Sequence, residues 1–128
     1  MLSDLQQIVQ NKQIVIGIVG QGYVGLPLAM AFAKEVKTIG FDVSEKTIST
    51  LKKGTSHILD VKDELLQRYL NKTYFPTVDS SDLSKCDVII ICVPTPLRDG
   101  KIPDLSYIKS ATETIAEILR KDQYVVLE

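Results

Sequence analysis

The chain has 128 residues, a length that suits one domain, and 45% of them are hydrophobic, enough for a real core. Fifteen Lys and Arg nearly balance sixteen Asp and Glu, and no basic run marks a nucleic-acid or membrane surface. The longest apolar runs, 14–19 and 88–93, are too short to cross a bilayer, and residues 1–10 lack the basic and apolar regions of a secretory signal.

Leu2, Leu5, Ile8 and Val9 recur at helical spacing, so residues 1–12 read as a helical extension ahead of the first strand. Residues 14–19 are apolar β-formers. They break into Gly20-Gln21-Gly22-Tyr23-Val24-Gly25, which opens a helix predicted over 24–35. Gly20 permits the tight turn out of the strand. Gly22 lets a pyrophosphate approach the main chain, and Gly25 lets the helix pack close to the strand. The helix N-terminus then presents free N–H groups and a positive dipole end to the phosphates. Pro27 falls in the first turn, where its missing N–H is not needed.

A second strand is predicted at 38–42. Asp42 ends it, 22 residues after Gly20, which matches the position of an acid that accepts hydrogen bonds from an adenosine ribose. A carboxylate there repels a 2′-phosphate, and no arginine follows, so the residues favour NAD over NADP. Ser44 is a candidate N-cap for a helix that turns Ile48 and Leu51 inward and ends at Gly54. Another helix is predicted over 61–71, and a strand at 74–78 whose Pro76 suits a sheet edge. Residues 87–93 form a continuous apolar run, the signature of a parallel strand buried on both faces. Val93-Pro94-Thr95-Pro96 stiffens the chain just beyond it. In this fold ligands bind past the carboxyl ends of the strands at the switch point, so Val93, Pro94 and Thr95 are candidates to meet the nicotinamide half. Asp104 reads as the cap of a helix with Leu105, Ile108, Ala111, Ile115, Ile118 and Leu119 at helical spacing, and 124–127 as a fifth strand.

Strands alternate with helices throughout, which predicts an α/β Rossmann-type fold: a doubly wound parallel sheet in three layers, strand order 3-2-1-4-5. A core strand is an odd terminus, so the chain reads as the front part of a longer protein, cut at strand five. Cys86 and Cys92, on one strand, stand roughly 20 Å apart and do not pair; free thiols suit the cytoplasm. Both read as small buried hydrophobes. No metal site is read.

Three segments in order, GIVGQGYVGLPLAMAFA, GFDVSEKTISTLKKGTSHI and IIICVPTPLRDGKIPDLSYI, resemble the UDP-glucose/GDP-mannose dehydrogenase family of nucleotide-sugar 6-dehydrogenases. The resemblance covers residues 13–128 and corresponds to that family's N-terminal NAD-binding domain. GYVGLP with VPTP is far more selective than the glycine pattern alone. VPTPL with PDLSYI most resembles the branch acting on UDP-N-acetylhexosamines such as UDP-N-acetylglucosamine. The resemblance implies an enzyme that oxidises the sugar C6 hydroxyl to a carboxylate with two NAD, and a homodimer or higher homo-oligomer. It also implies a catalytic cysteine that forms a thiohemiacetal, placed beyond Glu128; neither Cys86 nor Cys92 matches it. No catalytic residue is therefore assigned within the chain.

One departure is visible: relatives often carry a basic residue five positions after the ribose-binding acid, where this chain has Thr47 beside Lys46. His57 reads as a surface or packing residue or as one that approaches a sugar nucleotide. Arg98 and Lys101 read as solvated charges or as contacts to substrate phosphate. Two other readings stay open at this level: a free-standing NAD-sensing or regulatory module, and a dehydrogenase of the hydroxyacid or 6-phosphogluconate type.

Overall fold

The structure, a computed structural model, describes residues 4–128. Five strands form one sheet: β1 Val15–Val19, β2 Lys37–Phe41, β3 Tyr74–Thr77, β4 Val88–Ile91 and β5 Tyr124–Leu127. Every pairing is parallel, and the order is β3-β2-β1-β4-β5, as the alternation of elements requires. Five α-helices connect them: α1 Asp4–Gln10, α2 Gly25–Ala33, α3 Glu45–Lys52, α4 Asp63–Tyr69 and α5 Ser106–Ile118. No helix among the described residues is long and apolar enough to cross a membrane.

Period-two alternation along β1 and β4 divides the core into two halves, one on each face of the sheet. Ile14, Ile16, Ile18 and Ile90 pack with Leu26, Ala29, Met30 and Ala33 of α2 and with Ile48, Leu51 and Leu66 of α3 and α4. Val19, Ile89 and Ile91 pack on the other face with Ala111 and Ile115 of α5. The three layers expected from the sequence are therefore present. Small residues along α2, Gly25, Ala29 and Ala33, let that helix lie close to the sheet.

Most differences from the sequence reading lie at element ends. The predicted helix over 61–71 shortens to α4 because Lys62 is extended and Leu70 leaves the helical region. The strand predicted at 87–93 narrows to β4: the N–H groups of Asp87 and Cys92 still donate to Val15 and Val19, but the Val15 N–H is taken by the Asp87 side chain at 2.8 Å. Two 3₁₀ turns, Ser80–Lys85 and Asp99–Lys101, have no apolar periodicity to announce them. Of the predicted N-terminal extension, α1 is present and packs Leu5 and Ile8 against the core, while Met1, Leu2 and Ser3 lie outside the described residues. Leu105 and Leu119, at helical spacing with the apolar residues of α5, are exposed, since both stand just beyond the ends of the helix. All four residues of β5 are exposed, in contrast to β3 at the opposite edge of the sheet, where only Phe75 is not buried.

Candidate dinucleotide site

The carboxyl ends of β1, β2 and β4 meet at one cleft of about 680 Å³. Its floor is the glycine turn. Gly20 has φ +98°, a conformation that L side chains rarely adopt, and a Cβ there would lie 2.7 Å from the Cys92 carbonyl oxygen. Gly25 is tighter still: its Cβ would stand 1.7 Å from the Gly20 carbonyl oxygen, so only glycine lets α2 start this close to the turn. Gly22 differs from both. A Cβ built there finds no atom within 4 Å. The fold itself makes no steric demand for glycine at 22.

Asp42 sits across the turn. One carboxylate oxygen accepts the Gln21 N–H at 2.8 Å and the other the Ser44 N–H at 2.9 Å. Each oxygen keeps a further lone pair for a hydroxyl donor. Ser44 then caps α3 by accepting the Thr47 N–H at 3.2 Å, a bond worth about 1 kcal/mol in typical helices. With the Gln21 N–H engaged by Asp42, the N–H groups of Gly22, Tyr23 and Val24 remain without acceptors among the described residues, at the positive end of a nine-residue helix.

The structure brings most of the sequence candidates together. Gly20, Gln21, Gly22, Tyr23, Val24 and Asp42 line the cleft, with Val93 and Pro94 on the opposite wall. Gly25 lies beneath the turn rather than on the cleft wall, and Thr95 is exposed outside it. Thr47, and not its neighbour Lys46, is part of the wall. His57 is also on the wall: its Nε2 lies 2.6 Å from the Gln21 carbonyl oxygen, so it fastens the glycine turn. Arg98 is turned to Asp104 in an exposed pair at 3.6 Å. Asp104 accepts the Ser106 N–H at 2.9 Å from outside α5, but the N-cap is Leu105 and not Asp104 as the sequence suggests; hydrogen bonds from the Ser106 side chain and N–H, and then the Arg98 charge, hold its carboxyl below the usual range.

Three wall residues escaped the sequence reading. Tyr107, Ser110 and Thr114 project from α5 into the cleft. They fall at i, i+3 and i+7, a polar stripe beside the apolar one that defined the helix. That second stripe was the available signal. Cys92 completes the floor at 8% exposure, and burial, helped by the Glu128 carboxylate, pushes its thiol up to about 11. A thiol held protonated in this way is a poor nucleophile.

Comparison with known proteins agrees with this geometry. Residues 14–128 match the model of the UDP-glucose/GDP-mannose dehydrogenase family, NAD binding domain. The chain is 38% identical over 117 residues to UDP-N-acetyl-D-glucosamine 6-dehydrogenase of Pseudomonas aeruginosa, covering 91% of this chain and 27% of that protein. Among solved structures, UDP-N-acetyl-D-mannosamine dehydrogenase of Pyrococcus horikoshii superposes with a TM-score of 0.84 at 36% identity, over 90% of this chain and 28% of that one. GDP-mannose dehydrogenase of Pseudomonas aeruginosa, solved as a ternary complex, gives 0.80 at 31%, over 88% and 27%. The chain thus spans little more than a quarter of the length of these relatives. From residue 14 onward it belongs to the UDP-glucose/GDP-mannose dehydrogenase family, in that family's NAD binding domain.

Proposed function

We propose that the cleft binds NAD and that the chain is the cofactor domain of an enzyme that oxidises the C6 hydroxyl of a UDP-N-acetylhexosamine, such as UDP-N-acetylglucosamine, to the carboxylate. The observation that carries this reading is Gly22: a glycine with open space above it, at the N-terminus of α2, facing the Asp42 carboxylate. In this reading the N–H groups of Gly22, Tyr23 and Val24 receive the pyrophosphate. Asp42 takes the adenosine ribose hydroxyls and disfavours a 2′-phosphate by charge repulsion. Val93 and Pro94 bound the nicotinamide half, and Thr95 stands at its mouth.

NAD, when bound, supplies the hydride acceptor. Conversion of a primary alcohol and one water to a carboxylate releases four electrons and five protons; two hydrides carry all four electrons and leave three free protons, so two NAD are reduced per sugar. The residues that act on the sugar are placed beyond Glu128, and the domain supplies binding and orientation. The three relatives compared above are nucleotide-sugar dehydrogenases at 31–38% identity, which favours this reading over a free-standing NAD sensor or a hydroxyacid dehydrogenase. Two buried, unpaired thiols suit a cytoplasmic protein, and the parent is proposed to be a homo-oligomer.

Calorimetry on the chain tests the cofactor assignment. NAD should bind and NADP should bind more weakly; a preference for NADP overturns it. Supplying UDP-N-acetylglucosamine and NAD to the full-length protein tests the reaction. Two NADH per sugar are expected, and no turnover with any UDP-sugar would refute it.

A further inference from the structure

Gln21 belongs to a surface turn, yet its side chain is completely buried. Every polar group it owns is engaged. Its amide Nε2 donates to the carbonyl oxygens of Ile18 and Gly20, each at 3.1 Å, and its Oε1 accepts the Tyr74 hydroxyl at 2.5 Å. Its main-chain N–H donates to Asp42, and its carbonyl oxygen meets His57. The amide thus grips β1 and the turn from below, while Asp42 and His57 hold the main chain from above.

Tyr74 comes from β3, the outer strand on that side, is itself fully buried and does not line the cleft. It reaches Gln21 across β2 only because residue 40 is glycine. A Cβ on Gly40 would lie 2.5 Å from Gln21 Oε1 and 2.7 Å from the Tyr74 hydroxyl. A passage is therefore left open in the intervening strand β2, and one buried hydrogen bond runs through it.

We propose that Tyr74 is a positioning residue for the cofactor: through Gln21 it holds the glycine turn in the form that presents the Gly22, Tyr23 and Val24 N–H groups to the pyrophosphate. The proposal rests on the NAD reading. Its physical basis is the orientation of the Gln21 amide. The Tyr74 hydroxyl is a donor, which fixes Oε1 toward Tyr74 and so aims Nε2 at the two carbonyls. Without the hydroxyl, Oε1 is a buried acceptor with no partner. The amide then gains by leaving its site, and its hold on Ile18 and Gly20 goes with it. A turn no longer fixed in advance must be ordered by the ligand, and affinity falls by the fraction of time the competent form is lost.

The test is calorimetry with NAD on the wild-type chain, Tyr74→Phe, Gln21→Met, the double variant and Ile16→Val, each with a thermal melt. Ile16 is a buried residue near the opposite end of β1, so its truncation lowers the melting temperature without touching the turn. Tyr74→Phe should weaken NAD binding by about fivefold or more at a temperature where the variant is fully folded. Gln21→Met should match it, and the double variant should lose little more than either alone. Ile16→Val should bind NAD as the wild type does. Amide exchange at Gln21, whose N–H is held by Asp42, should quicken without cofactor in Tyr74→Phe and not in Ile16→Val. Wild-type affinity in Tyr74→Phe overturns the positioning role while leaving the NAD site standing. A wild-type chain that melts cooperatively but does not bind NAD overturns the cofactor reading and this one with it. Should Tyr74→Phe fail to fold, Gln21→Met decides: unchanged affinity there overturns the proposal.

Discussion

Asp42 accepts the main-chain N–H of Gln21 at 2.8 Å, joining the end of β2 to the turn after β1 across 21 residues of sequence. The same carboxylate holds the Ser44 N–H and so sets the start of α3. Asp42 therefore has two tasks, one for the fold and one proposed for the ribose. Asp42→Ala removes both. We expect NAD affinity to drop by about ten- to hundredfold, since charge-assisted hydrogen bonds contribute about 1.5–3 kcal/mol each, with a lower melting temperature as well. His57→Ala removes one contact to the same turn and should cost less. Calorimetry on both variants decides, and equal losses would place the ribose elsewhere.

The glycines at 22 and 25 should separate binding from folding. Gly22 is not in the left-handed region and has space for a methyl group, so Gly22→Ala should fold and melt like the wild type. That methyl projects where the pyrophosphate is proposed to lie, and NAD binding should weaken by about tenfold or more. Gly25→Ala meets the Gly20 carbonyl at 1.7 Å, a main-chain atom that cannot step aside. Its melting temperature should fall by about 10 °C or more, as overpacking costs of about 3 kcal/mol imply for a domain of this size. Thermal melts and NAD titrations on the two variants measure the contrast. A Gly22→Ala protein that binds NAD normally would refute the proposed path of the pyrophosphate.

Much of this architecture was legible because it rests on short-range rules. Apolar runs at 14–19 and 88–93 announced strands, the second of them one buried on both faces, and the glycine pattern located the turn between β1 and α2. Ser44 and Gly54 bounded α3 as capping rules require. What stayed hidden depends on contacts between distant segments. Gln21 occupies a variable position of the glycine pattern, and nothing local shows that it is buried against Tyr74, 53 residues later. Gly40 looks like an ordinary strand glycine until Gln21 and Tyr74 are seen to meet beside it. His57 was ambiguous for the same reason, since its partner is a main-chain oxygen 36 residues away. Tyr107, Ser110 and Thr114 form a stripe beside the buried one on α5, and only the packing of that helix on the sheet turns the stripe toward the cleft.

The two cysteines give the last prediction, which concerns pH. Cys86 is fully buried below β1, and burial, reinforced by Asp87 and opposed by Arg120, pushes its thiol up to about 12 from 9.0. A raised thiol pKa means that the folded state keeps a proton which the unfolded chain releases. The stabilisation is therefore complete below about pH 9 and is lost as pH rises toward 12, at most about 1.4 kcal/mol per pH unit. Cys86→Ala should be less stable than the wild type at pH 7, because a buried sulfur is removed, yet its stability should decline less steeply between pH 9 and 11. Denaturant titrations across that range measure the two slopes, and parallel slopes would mean that Cys86 is not the group responsible. Iodoacetamide adds a second check. At pH 7.5 the native chain should be alkylated far more slowly than the chain in guanidinium, at Cys92 as well as Cys86, because both thiols stay protonated and covered. Rapid labelling of native Cys92 would instead reveal a reactive thiolate in the cleft and reopen its assignment as a wall residue.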